Sequence, residues 1–325
     1  MNKVKIIGTG SYVPPRKVSN YELSKLVDTS DEWIVSRTGI KERRISTGEN
    51  TSELAAKAAL KALKNSNIKP EDLDLIILAT ITPDAFMPST ACLVQAQIGA
   101  VNALCFDITA ACSGFIYGLD VATAMLKSGN KKTALVIGSE TISKILDWKD
   151  RSTCILFGDG AGAAVLKISE ESGISEFYSG SDGTKGEFLS TYAVPLKNPF
   201  VEPEATQNRS VVKMNGKEVF KFATRIMSEC IRNVIKNNGE TLDSIKYIIP
   251  HQANLRIIEY TAKKLEINID KFFINLESYG NTSSASIPIA LDELNSRGLL
   301  KSGDKIILVG FGGGLTYASV LITWK

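Results

Sequence analysis

Asp107-Ile108-Thr109-Ala110-Ala111-Cys112-Ser113-Gly114-Phe115 links an apolar strand, Ala103 to Ile108, to an apolar helix, Ser113 to Lys127, and puts a cysteine at the turn between them. The small residues Ala110, Ala111, Ser113 and Gly114 leave room for another molecule to reach the sulfur. A helix N-terminus carries partial positive charge and unpaired N–H groups, which favour a thiolate there. The competing reading is a buried cysteine that behaves as a small hydrophobe.

The chain has 325 residues, room for two domains or one large α/β body. Its hydrophobic fraction of 44% and charged fraction of 22% are those of an ordinary soluble protein. A net charge of +3 argues against a dedicated nucleic-acid binder. Cys92, Cys105, Cys112, Cys154 and Cys230 are scattered, odd in number and form no Cys-x-x-Cys pair. Neither a disulfide framework nor a zinc site is expected, and the compartment expected is the reducing cytoplasm. Met1 to Gly10 reads as a strand and not as a signal peptide, and no apolar run approaches the length of a membrane span. His251 is the single histidine, so mechanisms needing two, and His-rich metal sites, are excluded.

Outward from Cys112, the runs Lys3 to Thr9, Asp74 to Thr80 and Thr133 to Ser139 are apolar enough for strands covered on both faces. Ser30 opens a helix that sets Trp33 and Arg37 on one face, and Thr51 to Asn65 is an Ala-rich helix. The glycine run 158–162 lacks the following helix that a dinucleotide loop needs. It reads as a hairpin between Cys154 to Phe157 and Ala163 to Ile168. The polar stretch 170–207 marks the passage between halves. Beyond it come strands at Ile245 to Ile249, Phe272 to Leu276, Lys305 to Gly310 and Thr316 to Trp324. Helices are expected at Lys217 to Asn237, Leu255 to Leu265 and Ile287 to Arg297.

This order repeats. Thr80 and Cys112 are 32 residues apart, as are Ile249 and Asn281, and each half closes through a glycine-rich stretch. The repeat predicts two similar α/β halves, 1–172 and 173–325, about a pseudo-two-fold axis. Loops at strand ends then converge, bringing together Cys112, His251, Asn281 and the glycines 312–314.

A thiol, an imidazole and a carboxamide beside glycine N–H groups suit acyl transfer through a covalent thioester on Cys112. The backbone N–H groups of Cys112 and Gly313 are candidates for an oxyanion hole. His251 and Asn281, as two neutral donors on one carbonyl oxygen, would stabilise an enolate left by decarboxylation. Its carbon would attack the acyl group on Cys112. Taken singly, His251 reads as a satisfied loop residue and Asn281 as a turn residue; their matched positions favour the joint reading.

The segments 109–115, 250–257, 280–286 and 311–314 closely resemble signatures of β-ketoacyl-acyl carrier protein synthase III, as do 31–34, 37–40 and 157–163. The likeness spans essentially the whole chain. It implies a thiolase-like five-layer αβαβα fold, a homodimer, and the first condensation of type II fatty-acid synthesis. In that reaction an acyl group passes from acyl-CoA to Cys112. Malonyl-acyl carrier protein then decarboxylates and condenses, with His251 and Asn281 activating it. CoA is a substrate here and no cofactor is implied. The resemblance further implies that Trp33 and Arg151 sandwich the CoA adenine, and that Arg37, Lys217, Phe220, Ala253 and Asn254 line the CoA and pantetheine path. Lys221, Arg256 and Lys263 fall on the basic surface for the acidic carrier protein. Met87 stands where many members have Phe capping the partner's acyl pocket, and Lys217 and Lys41 replace an Asn and an Arg.

Relatives separate by counting. Elongating ketosynthases use two histidines, and thiolases need a cysteine near the C-terminal glycine turn, where this chain has none after Cys230. A ketosynthase III-like enzyme of secondary metabolism and a non-catalytic acyl-carrier-protein-binding homologue are the remaining alternatives. Retention of Cys112, His251 and Asn281 together weighs against the second.

Overall fold

The computed structural model describes residues 3–171, 173–192, 194, 198–200 and 210–324. Met1, Asn2, the expected boundary residue 172 and part of the polar passage 170–207 lie outside that set. The main strands are β1 (Lys3–Tyr12), β2 (Leu75–Ala79), β3 (Leu104–Ile108), β4 (Thr133–Glu140), β5 (Gly160–Ser169), β6 (Ile174–Ser181), β7 (Ile245–Pro250), β8 (Lys305–Gly312) and β9 (Thr316–Thr323). The longer helices are α1 (Asp31–Thr38), α2 (Thr51–Ser66), α3 (Thr90–Ile98), α4 (Gly114–Lys127), α5 (Gly216–Asn237), α6 (Leu255–Leu265) and α7 (Ser286–Ser296).

Side chains alternate across a strand, so an all-apolar strand must be covered twice. In β2, Leu75 and Ile77 face a core shared with α4 and α7, while Ile76 and Leu78 face α2 and α3. In β8, Ile306 and Leu308 join the same central core, while Ile307 and Val309 face α5 and α6. The layers therefore run α2/α3, first sheet, α4/α7, second sheet, α5/α6, the five-layer thiolase-like αβαβα order that the resemblance implies. Among the described residues no helix is long and apolar enough to cross a membrane.

The first sheet has the order β1-β5-β4-β2-β3, and the second β6-β9-β8-β7. Pairing repeats as well. The pairs β2/β4 and β7/β8 are parallel, and β4/β5, β8/β9, β1/β5 and β6/β9 are antiparallel. The expected strand at Phe272 to Leu276 shrinks to one parallel bridge, Ile248 to Phe272, after which Leu276–Tyr279 forms a helical turn. That extra turn shifts the register of the repeat. Ala111, at φ 45°, opens a 3-10 turn (Ala111–Ser113) ahead of α4, and Ser283, at φ 50°, opens the matching turn (Ser283–Ala285) ahead of α7. The counterpart of Cys112 is therefore Ser284, three residues past the Asn281 that equal spacing selects.

The hairpin expected around 158–162 is also replaced. Arg151–Cys154 is a helical turn, and from Gly160 the chain is a single strand. Its glycines serve close packing: a β-carbon on Gly162 would lie 2.7 Å from the Ile289 nitrogen of α7. Gly138 of β4 is tighter still, since a β-carbon there would lie 2.2 Å from the Ser284 carbonyl oxygen. Gly138→Ala is expected to lower stability by about 1–3 kcal/mol, as overpacking does, read as a drop in the urea unfolding midpoint at unchanged slope.

Candidate active site

Three loops build the site: two leave the carboxyl ends of the parallel strands β3 and β7, and the third follows the helical turn Leu276–Tyr279. Cys112 lies in the 3-10 turn between β3 and α4 and is 6% exposed. Its sulfur is 3.4 Å from Ser283 Oγ. The oxyanion candidate Gly313 lines, with Cys112, an apolar cavity. Gly312 approaches the Cys112 backbone more closely, for a β-carbon on it would lie 2.6 Å from the Cys112 nitrogen. Burial pushes the Cys112 thiol up to about 12, although the Ser283 hydroxyl acts in the opposite direction. The resting sulfur is thus a thiol, and the expectation of a thiolate from the helix end alone is corrected by desolvation.

His251 follows β7 and extends its ladder, donating its backbone N–H to the Val309 carbonyl at 2.7 Å. Its ring packs edge-on to Phe311 at 5.4 Å between centroids. Nδ1 lies 2.7 Å from Ser286 Oγ, the first residue of α7, and the Gln252 N–H donates to the same oxygen at 3.4 Å. A Ser286 hydroxyl that donates to Nδ1 would leave the ring proton on Nε2 as the imidazole donor. Burial lowers the His251 pKa to about 3, so the ring is neutral at physiological pH.

Asn281 is fixed from the other half of the molecule. Its backbone N–H donates to the Leu156 carbonyl at 2.8 Å, and its own carbonyl accepts from the Gly158 N–H at 3.0 Å. Its Oδ1 accepts the Ser283 N–H at 2.9 Å, which leaves the amide nitrogen as the free donor end.

Cys112, His251 and Asn281 line one cavity of 340 Å³ together with Trp33 and Arg37, two residues that are also open to solvent. Phe220, Ala253 and Asn254 also line it. Ser30 caps α1 and thereby sets Trp33 at the rim. Asn254 caps α6, accepting from the Arg256 N–H, and donates to the Arg37 carbonyl at 3.0 Å, tying the two walls together. Arg151 is outside the lining, with its guanidinium 5.0 Å from the Trp33 ring centroid and bonded to the Asp28 carbonyl at 2.7 Å. The expected sandwiching pair is closed on itself, so an adenine would have to part it. Lys217 and Lys263 are exposed and do not line this cavity, and Arg256 lies over Phe220 at 5.7 Å. Lys221 opens instead onto a neighbouring recess with Lys185, Arg225 and Lys264.

The second cavity at Cys112, of 320 Å³, is walled by Ile81, Ile142, Phe157, Leu189 and Val212. Met87 is 84% exposed and does not reach it within the chain. Sequence alone does not single out Ser283 and Ser286, the polar partners of the sulfur and the imidazole. The run of hydroxyls directly after Asn281 was the available signal.

Family profiles described as 3-Oxoacyl-[acyl-carrier-protein (ACP)] synthase III and its C terminal match residues 106–183 and 235–324. The chain is 58% identical over 324 residues to Beta-ketoacyl-[acyl-carrier-protein] synthase III of Clostridium acetobutylicum, covering 100% of this chain and 99% of that one. It is 60% identical over 325 residues to the protein of that name from Clostridium botulinum strain Okra, with both chains fully covered. The crystal structure of 3-oxoacyl-[acyl-carrier-protein] synthase III from Aquifex aeolicus VF5 superposes with a TM-score of 0.93 at 49% identity, covering 99% of this chain and 100% of that one. The layered fold, the convergent loops and these likenesses agree: the chain belongs to the β-ketoacyl-acyl carrier protein synthase III family.

Proposed function

We propose that this chain primes type II fatty-acid synthesis, condensing an acyl-CoA with malonyl-acyl carrier protein to give β-ketoacyl-acyl carrier protein, CoA and CO2. The observation that carries this reading is that Cys112 borders two cavities at once. One is shared with His251, Asn281, Trp33 and Arg37, and the other is apolar and acyl-sized.

In the first step Cys112 Sγ forms a bond to the acyl carbon, the bond from that carbon to the CoA sulfur breaks, and CoA leaves as the thiol with the cysteine's proton. The N–H groups of Cys112 and Gly313 serve the oxyanion. The acyl chain then occupies the second cavity. In the second step malonyl loses CO2, and its thioester oxygen takes up enolate charge between His251 Nε2–H and the Asn281 amide. Neutral donors suit this task, because they stabilise the charge without surrendering a proton. The enolate carbon attacks the acyl carbon, the bond to Cys112 Sγ breaks, and the departing thiolate takes up one proton from solvent to restore the thiol.

CoA follows the wall of Trp33, Arg37, Phe220, Ala253 and Asn254, with Arg151 and Lys217 at its outer end. Lys221, Arg256 and Lys263 receive the acidic carrier protein, a reading supported by the clustering of Lys185, Lys221, Arg225 and Lys264 around one recess. The division at 172/173 is supported by the two large sheets, one built from strands up to Ser169 and the other from strands starting at Ile174. All five cysteines are free thiols, which suits a reducing cytoplasm. A homodimer is supported by the neighbouring apolar side chains Phe86 and Met87, 77% and 84% exposed.

Incubation with acetyl-, isobutyryl- and hexanoyl-CoA should leave one acyl adduct on the intact chain by mass spectrometry, absent from Cys112→Ala. His251→Ala and Asn281→Ala should keep the adduct yet lose about a hundredfold or more in malonyl decarboxylation. Alkylation of Cys112 by iodoacetamide, followed on its peptide, should climb about tenfold per pH unit through about pH 9 without a plateau. Decarboxylation should show no acid limb at about pH 6.5, where an ordinary histidine titrates. Sedimentation should give two chains per particle, and Phe86→Asp with Met87→Asp should give one.

A further inference from the structure

Glu140 ends β4 with no exposed surface, and the reaction described above does not use it. Its carboxyl group lies where the two halves meet. Oε2 accepts from the hydroxyls of Thr80 at 3.0 Å and Thr82 at 2.5 Å, and the Ile81 N–H is 3.2 Å from both carboxyl oxygens. These partners belong to the loop leaving β2. Oε1 faces the other half, 2.8 Å from Ser284 Oγ.

Ser284 Oγ is also 2.9 Å from the Ala79 carbonyl oxygen. One hydroxyl proton cannot serve both acceptors. Both contacts become hydrogen bonds if Oε1 carries a proton: Glu140 donates to Ser284, Ser284 donates to Ala79, and Oε2 accepts from Thr80 and Thr82. Burial shifts the Glu140 carboxyl upward, the direction this arrangement needs. A protonated carboxyl also spares the interior an unpaired anion.

The turn held in this way carries the chemistry. Ser283 donates its N–H to Asn281 Oδ1 and presents its hydroxyl to Cys112 Sγ. It does so at φ 50°, a conformation that a serine keeps only when its surroundings impose it. Behind it, Gly138 lies against the Ser284 carbonyl with no space for a methyl group.

We propose that Glu140 is a positioning residue for the condensation step, acting through Ser284 to hold the 281–284 turn so that the Asn281 amide and the Ser283 hydroxyl face the reacting centre. This rests on the function proposed above. A glutamine can replace the protonated acid, because its amide donates to Ser284 while its carbonyl accepts from Thr80 and Thr82. An alanine can do neither.

The test compares wild type, Glu140→Gln, Glu140→Ala and Ser284→Ala. For each, the acyl adduct on Cys112 and the KM for the acyl-CoA that wild type accepts are measured beside the rate of malonyl-acyl carrier protein decarboxylation. Glu140→Ala should lose about tenfold or more in decarboxylation, as small misplacements of reacting groups do. Its KM should change by less than about twofold and its adduct should still form. Glu140→Gln should stay within about threefold of wild type. Ser284→Ala should reproduce the loss while leaving the Thr80 and Thr82 bonds to Glu140 in place, so the idea stays open to test even if Glu140→Ala does not fold. Wild-type decarboxylation in either alanine variant, or a glutamine as damaging as alanine, overturns the inference. A wild-type chain that forms no acyl adduct overturns the proposed function itself and takes this inference with it.

Discussion

The site depends on a two-bond seam between the halves: Asn281 N–H to the Leu156 carbonyl, and Gly158 N–H to the Asn281 carbonyl. Without that seam, Asn281 would sit on a free loop after the helical turn Leu276–Tyr279. With it, a residue of the second half is added like one rung of a parallel ladder to the first half, beside Phe157. The approach is close enough that a β-carbon on Gly158 would lie 2.3 Å from the Tyr279 carbonyl oxygen. Buried Arg43 braces the same seam by donating to the Ile155 carbonyl at 2.8 Å. A backbone held from both sides loses little entropy when a substrate arrives, which suits the donor role proposed for the Asn281 carboxamide.

The layers were legible because burial on both faces writes itself into composition. Leu75 to Ala79 and Ile306 to Val309 contain no polar residue, and a run of that kind fits only a covered parallel sheet. The repeat was legible in element order, for the same reason applied twice. Its register was not. The loss of pairing after Phe272 and the gain of the turn Leu276–Tyr279 are tertiary choices with no marker in local propensity. The glycines 158–162 misled for a related reason. Sequence shows that a glycine is present but not whether it turns the chain or makes room for α7, and here Gly160 and Gly162 make room.

At the site, the matched positions of Cys112, His251 and Asn281 in the repeat were readable, and the structure brings the three to one cavity. Their partners were harder to find. Ser286 beside His251 is 35 positions away, and Ser283 beside Cys112 is 171 away. Serines are common, and nothing local distinguishes one that tunes an imidazole from one that caps a helix. The electrostatics also ran against expectation. The helix end alone favours a thiolate, yet full burial wins and keeps both the sulfur and the imidazole neutral.

The two cavities differ in what they can admit. Arg37 is a cation in the wall of the first, whereas the described walls of the second contain no charged residue. On the function proposed above, a phosphate-bearing carrier suits the first and an acyl tail the second. Under that proposal the departing coenzyme and the incoming carrier protein would take turns in one corridor, and the covalent thioester would preserve the starter between visits. Traffic of that kind would be double displacement, and free coenzyme should compete with the second substrate for the passage that the first has just vacated.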